Sequence, residues 1–260
     1  MKRPTLPRSA HHYGLHPDTL VVHPDYAHLA PFLRSLPQRM ARGEGEVIHR
    51  GRNELRIMHY DGLDLVVKAF HRPHVINRFV YGTLRASKAK RSYANACLLL
   101  DLGIGTPQPV GYYNVRSTLG LAFDKSYFVT LRSVCTHRYE EFFEHDMPEM
   151  PDVLRAIGHI TARLHEAGLA HKDYGRANIL FGYDKDGQLR IELVDLNRMA
   201  HGPLDIHAGC KNFERLPATP QMHRWMAEEY AKARNFDVEK CFELMRAYRS
   251  VQPGKIDNLY

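Results

Sequence analysis

His171-Lys172-Asp173-Tyr174-Gly175-Arg176-Ala177-Asn178 runs into Ile179-Leu180 and, after a short interval, into Val194-Asp195-Leu196-Asn197. An Asp thus stands five residues before an Asn, and a second Asp follows a pair of short apolar runs. This spacing suits phosphoryl transfer, in which the protein does little covalent work. What that reaction needs is a carboxylate to orient a hydroxyl, together with hard oxygen ligands that fix Mg²⁺ against nucleotide phosphates. In that layout Asp173 is the candidate base, and Asn178 and Asp195 are the candidate Mg²⁺ ligands. The same residues could also form a polar hairpin loop, so the flanking sequence decides.

Upstream, Val153, Leu154, Ile157, Ile160 and Leu164 recur at helical spacing, and Gly168 stands where such a helix would stop. Downstream, Ile179–Phe181 and Ile191–Val194 flank Asp184-Lys185-Asp186-Gly187, a hairpin signature. Helix, loop, hairpin and acidic residue follow in the order of a kinase large lobe. A candidate small lobe precedes it. Glu54–Tyr60 and Leu63–Phe70 flank Asp61-Gly62, a two-residue turn signal. Period-two alternation puts Val66, Lys68 and Phe70 on one face of the second strand. Lys68 in Leu65-Val66-Val67-Lys68 stands where a kinase carries its phosphate-pairing lysine.

The glycine-rich loop of that pattern is reduced to Gly51 within Ile48–Asn53, with Arg50, Arg52 or Asn53 as substitute phosphate contacts. Tyr127–Leu131 ends the strand expected to lead to a hinge, where Thr130 and Leu131 would meet adenine. The stretch 132–150 lacks periodicity and is expected to be hinge and linker. A helix over Leu84–Leu102 should follow the Lys68 strand, but it carries no acid before Asp101. The helix acid that usually orients such a lysine is therefore missing, and Lys68 is expected to pair with Asp195 when nucleotide is absent and with phosphate when it is bound, Ser92 or Asn95 giving a neutral hydrogen bond. Thr219-Pro220 and Asp237 read as N-caps of two further helices, the last with Val238, Cys241, Phe242, Met245 and Tyr248 inward.

The 260-residue length supports a full core, and 44% hydrophobic with 25% charged residues is ordinary for a globular protein. Four cysteines without C-x-x-C spacing argue against a zinc site and a disulfide framework and fit a reducing cytoplasm. Pro4, Pro7 and Pro17 interrupt an N-terminus without an apolar stretch, so no signal peptide is expected. The net charge of +7 is uneven. Between Asp64 and Asp101 no acid occurs, while Lys68, Arg72, Arg78, Arg85, Lys88, Lys90 and Arg91 do. Such a stretch suits an anionic partner or a solvated basic face. Phe70, Phe79, Tyr81 and Tyr93 are too irregularly spaced for base stacking, so nucleic acid is not expected.

Val66–Phe70, Arg85–Tyr93, Leu102–Pro109, His171–Asp173 and Val194–Arg198, taken together, resemble the lipopolysaccharide kinase (Kdo/WaaP) family in its Bacteroidetes-type form, over roughly residues 40–235. The resemblance implies an α+β, two-lobed protein-kinase-like fold. A small antiparallel-sheet lobe with one main helix would occupy 1–131 (1–40 as an N-terminal extension), and a larger, mainly helical lobe 132–260. It further implies ATP- and Mg²⁺-dependent phosphorylation of a lipopolysaccharide or sugar-phosphate acceptor in the lipid A–core region. The expected location is cytoplasmic, peripheral to the anionic inner face of the inner membrane. Lys68 and Asp173 would be catalytic. Lys68, Gly51, Arg52, Asn53, Val66, Thr130 and Leu131 would bind nucleotide, and Asn178 and Asp195 metal. Asn197 departs from the protein-kinase pattern, which has Gly there. The alternatives are a protein kinase, disfavoured because Arg198–Lys211 has no activation-segment signal, and a non-catalytic binding protein on a kinase scaffold.

Overall fold

A computed structural model of the chain describes residues 11–13, 19–70, 86–116 and 123–249. The beginning of the helix expected at Leu84, and Arg72, Arg78, Phe79, Tyr81 and Arg85, lie outside the described residues. The chain divides into two compact units: 2–98 with 107–132, and 99–106 with 133–260 together with Met1.

The first unit is built on a seven-stranded antiparallel sheet. Its strands are β1 (His11–Tyr13), β2 (Thr19–Val22), β3 (Glu46–Arg50), β4 (Asn53–Tyr60), β5 (Leu63–Phe70), β6 (Pro109–Arg116) and β7 (Phe123–Leu131), in the order β1-β2-β6-β7-β5-β4-β3. Asp61 and Gly62 join β4 to β5 with φ of 53° and 73°, the left-handed pair that a tight hairpin turn demands. Alternation along β5 divides the sheet into two faces. Leu65 and Val67 pack with Leu29, Phe32, Leu33 and Leu36 of α1 (Ala30–Ala41) and the turn before it. Phe70 packs on the other face with Ala89, Tyr93 and Cys97 of α2 (Lys88–Asp101). Residues 19–41 therefore supply both a sheet strand and one helical cover of the core.

The second unit is mainly helical, with α3 (Met150–Glu166), α4 (Ile206–Lys211), α5 (Pro220–Arg234) and α6 (Val238–Tyr248). Thr219 and Asp237 cap α5 and α6 through their side-chain oxygens. On α6 the inward set differs from expectation: Leu244 is buried, whereas Phe242 is half-buried beneath the Arg224 guanidinium, 3.7 Å from its ring centroid. The aperiodic stretch 132–150 contains β8 (His137–Arg138) and a 3₁₀ turn, Tyr139–Phe143. Strand β8 pairs with β10 (Ile179–Tyr183), which pairs in turn with β11 (Leu189–Leu193). Gly105 lies against β11 so closely that a Cβ there would fall on the Ile191 carbonyl oxygen, and the Leu193 N–H donates to the Gly105 carbonyl at 2.9 Å. The short strands β9 (Leu169–His171) and β12 (Met199–His201) pair antiparallel, bringing the two ends of the 171–199 segment together.

Candidate functional site

The pairing of β9 with β12 fixes the loop that carries Asp173. Lys172 N–H donates to the Arg198 carbonyl at 2.9 Å, so the residue after Asn197 lies beside the residue before Asp173. His171 is fully buried. Its Nε2 meets the Val194 carbonyl at 3.0 Å, which can only accept, so Nε2 donates. Nδ1 is then free to accept the Asp173 backbone N–H at 3.1 Å. Asn178 closes the loop through Nδ2, which donates to the Asp173 carbonyl at 2.8 Å. Val194 N–H donates to the Asn178 carbonyl at 3.0 Å, bringing Asn178 beside the segment that leads to Asp195.

Asp195 follows β11 with φ of 60°, a left-handed conformation uncommon for any residue but glycine. Backbone of this kind costs on the order of 1–3 kcal/mol and persists where the surroundings hold it. Here Asn197 does part of that holding: its Nδ2 donates to Asp195 Oδ1 at 2.5 Å, and Asn197 is itself buried. The residue that replaces the expected glycine thus holds the acid. A carboxylate and an amide oxygen drawn together across one backbone hydrogen bond suit Mg²⁺, which takes few protein ligands and completes its shell with phosphate and water.

A second hydrogen-bond chain supports the loop from beneath. Asn212, the residue after α4, meets the His171 carbonyl at 2.9 Å. That carbonyl accepts only, so Asn212 presents Nδ2 to it and Oδ1 to His165 Nε2 at 3.0 Å. His165 Nε2 must therefore donate, and Nδ1 accepts from the Tyr230 hydroxyl at 2.8 Å. Tyr230 accepts in turn from Arg234 Nη1 at 2.6 Å. Burial keeps His165 neutral by lowering its pKa to about 4, an effect the Asn212 bond opposes and nearby Arg234 reinforces. Tyr174, buried in the loop, bonds Thr161 of α3 at 2.5 Å, and burial raises its pKa.

Around the Asp173 carboxylate stand two residues to which the sequence reading assigned no role. Arg198 Nη1 and Arg215 Nη1 both donate to Asp173 Oδ1, at 3.0 and 3.1 Å. Arg198 is adjacent to the Val194–Asn197 motif. Arg215 lies 42 residues from Asp173 in a stretch without motif or period, so no local signal marks it.

In the first unit, cross-strand register gathers the other candidates. Asn53 pairs with Phe70, Lys68 with Phe128, and Val66 with Thr130, so Asn53, Val66, Lys68 and Thr130 share the sheet face that carries Phe70. Gly51 and Arg52 form the exposed tip between β3 and β4. The Leu131 N–H is engaged with the Gln108 carbonyl at 2.9 Å, and that of Arg132 with the Asp64 carbonyl at 2.8 Å. Lys68 Nζ lies 5.4 Å from the Phe70 ring centroid, and Lys88 Nζ 5.9 Å from the same ring. Within α2, Ser92 is buried and its hydroxyl has no partner among the described residues, and Asn95 is buried.

The family model for the lipopolysaccharide kinase (Kdo/WaaP) family matches residues 42–248. The chain belongs to that family. Among solved structures, WaaP in complex with acyl carrier protein is similar at 17% identity and a TM-score of 0.55, covering 84% of this chain and 94% of that one. The Rio2 kinase–ADP/Mg²⁺–phosphoaspartate complex from Chaetomium thermophilum is similar at 15% identity and a TM-score of 0.45, covering 90% of this chain and 65% of that one. No curated protein sequence matches. The protein-kinase-like fold and membership of a kinase family are thereby shown. Among the described residues no helix is long and apolar enough to cross a membrane.

Proposed function

We propose that this chain is an ATP- and Mg²⁺-dependent phosphotransferase that acts on a sugar hydroxyl in the lipid A–core region of lipopolysaccharide, at the cytoplasmic face of the inner membrane. The observation that carries the reading is the loop 171–178 itself. It is a backbone held at both ends, presenting one carboxylate, Asp173, with Asn178 and Asp195 joined beside it through the Val194–Asn178 hydrogen bond.

In this reading Asp173 orients the acceptor hydroxyl and takes its proton. Asn178 and Asp195 hold Mg²⁺, which when bound neutralises the charge of the transferring phosphoryl group. Lys68 meets the nucleotide phosphates from the face it shares with Val66 and Thr130, and Gly51, Arg52 and Asn53 cover them. With its own N–H engaged, Leu131 would offer adenine a carbonyl rather than a donor.

The test is incubation of the purified chain with ATP, Mg²⁺ and lipopolysaccharide from a kinase-deficient strain, read as gain of one phosphoryl group by mass. Asp173→Asn should lower turnover by about 10²- to 10⁴-fold while nucleotide binding is kept, the range expected for loss of a general base. Near-normal turnover by that variant would sink the assignment of Asp173.

A further inference from the structure

Two guanidinium groups converge on a single oxygen of the candidate base. Arg198 and Arg215 are 56% and 55% exposed, whereas the Asp173 side chain is 20% exposed. Ion pairs so exposed add little to stability, so folding does not account for two on one carboxylate oxygen. Each guanidinium carries five N–H donors in a planar fork and gives Asp173 only one nitrogen. Two cations from outside the loop therefore converge on its one carboxylate.

A neutral sugar hydroxyl gains nothing from two guanidinium groups. A negatively charged group beside the hydroxyl does, since a guanidinium fork matches a carboxylate or phosphate in bidentate geometry. We propose that Arg198 and Arg215 are the acceptor's anion site: a carboxylate or phosphate on the acceptor, next to the hydroxyl to be phosphorylated, draws both arginines away from Asp173. The Asp173 carboxylate accepts the hydroxyl proton. The hydroxyl oxygen bonds to the terminal phosphorus of the nucleoside triphosphate as the bond from that phosphorus to the bridging oxygen breaks. The electron pair leaves with the nucleoside diphosphate. This inference rests on the kinase reading for the role of Asp173 and adds to it the acceptor's charge and the residues that read it.

The experiment uses core oligosaccharide released from kinase-deficient lipopolysaccharide in three forms: untreated, carboxyl-reduced, and dephosphorylated with aqueous hydrofluoric acid. Binding of each to the full chain and to Arg198→Gln, Arg215→Gln and the double variant is measured by titration calorimetry without nucleotide. The untreated form should bind wild type about 10- to 100-fold more tightly than one of the stripped forms, the range for charge-assisted hydrogen bonds. Which form weakens tells carboxylate from phosphate. The double variant should bind untreated and stripped forms alike. Equal binding of all three forms to wild type, no binding at all, or discrimination retained by the double variant would each overturn the anion site. The two readings fail separately. Phosphorylation of all three forms at equal rates would keep the kinase and remove the anion site. Arginine-dependent binding without any phosphorylated product would do the reverse.

Discussion

Asn212→Ala tests the support beneath the catalytic loop. The amide bridges two groups that have no other role for it to imitate: the His171 carbonyl at 2.9 Å and His165 Nε2 at 3.0 Å. Alanine removes both partners at once. His165 is 2% exposed, so its Nε2–H would be left as a buried donor without an acceptor. Such a donor costs about 1–3 kcal/mol and an ordinary hydrogen bond about 1 kcal/mol, giving an expected loss of about 2–4 kcal/mol for Asn212→Ala. Urea denaturation at pH 7, with unchanged m-value, would measure it. Phosphoryl transfer should fall as well, because the carbonyl that loses its donor belongs to the residue whose ring holds the Asp173 backbone.

Asn212→Asp separates this account from a simple packing defect. It keeps the shape and the acceptor for His165 but sets an oxygen against the His171 carbonyl, so it too should be destabilised at pH 7. Its carboxylate favours protonated His165, however, and so raises a pKa that burial holds at about 4 in the wild type. The deficit of Asn212→Asp relative to wild type should therefore shrink as pH falls from 7 to 5, while that of Asn212→Ala should not. A loss under about 0.5 kcal/mol for Asn212→Ala, the range of ordinary surface substitutions, would refute the reasoning, as would parallel pH dependence of the two variants.

Two further expectations follow from the same unit. Burial holds both His165 and His223 at about 4 against an ordinary 6.5, so the unfolded chain binds protons first. Stability contributed by each is full above pH 6.5 and lost as pH falls toward 4; with about 1.4 kcal/mol per pKa unit, each should cost about 2 kcal/mol between pH 7 and 5, and a flat denaturation midpoint over that range would contradict it. Gly158→Ala sets two effects against each other where α3 crosses α5. Helix propensity favours alanine by about 1 kcal/mol. The new methyl, though, would fall on the Met226 carbonyl oxygen, and overpacking that moves backbone costs about 1–3 kcal/mol or more. A net loss is expected, and a raised melting temperature would show that the helices separate freely.

What the sequence made legible was local. The Asp61-Gly62 turn and the Thr219 and Asp237 caps each depend on residues a few positions apart, and each is in place. What it left unread depends on neighbours distant in the chain. Residues 19–22 look like an extension until β6 supplies a partner, with Thr19 against Asn114. The stretch 132–150 has no period because its order comes from outside it: β8 pairs with β10, and Phe142 stacks on Phe181. Phe242 was misplaced because the phase of α6 is set by what packs against it, and there the Arg224 guanidinium takes the ring while Leu244 goes inward.

The site divides the same way. Spacing can nominate a base, but the charge around that base is set by where β12 and the segment after α4 deliver Arg198 and Arg215. Lys68 shows the limit from the other side. The sequence establishes that α2 carries no acid before Asp101, and alternation along β5 sets Lys68 beside Phe70, whose ring Lys88 approaches as well. An aromatic face attracts a cation without neutralising it. The Lys68 ammonium is thus set against a ring that its own strand supplies two residues further on.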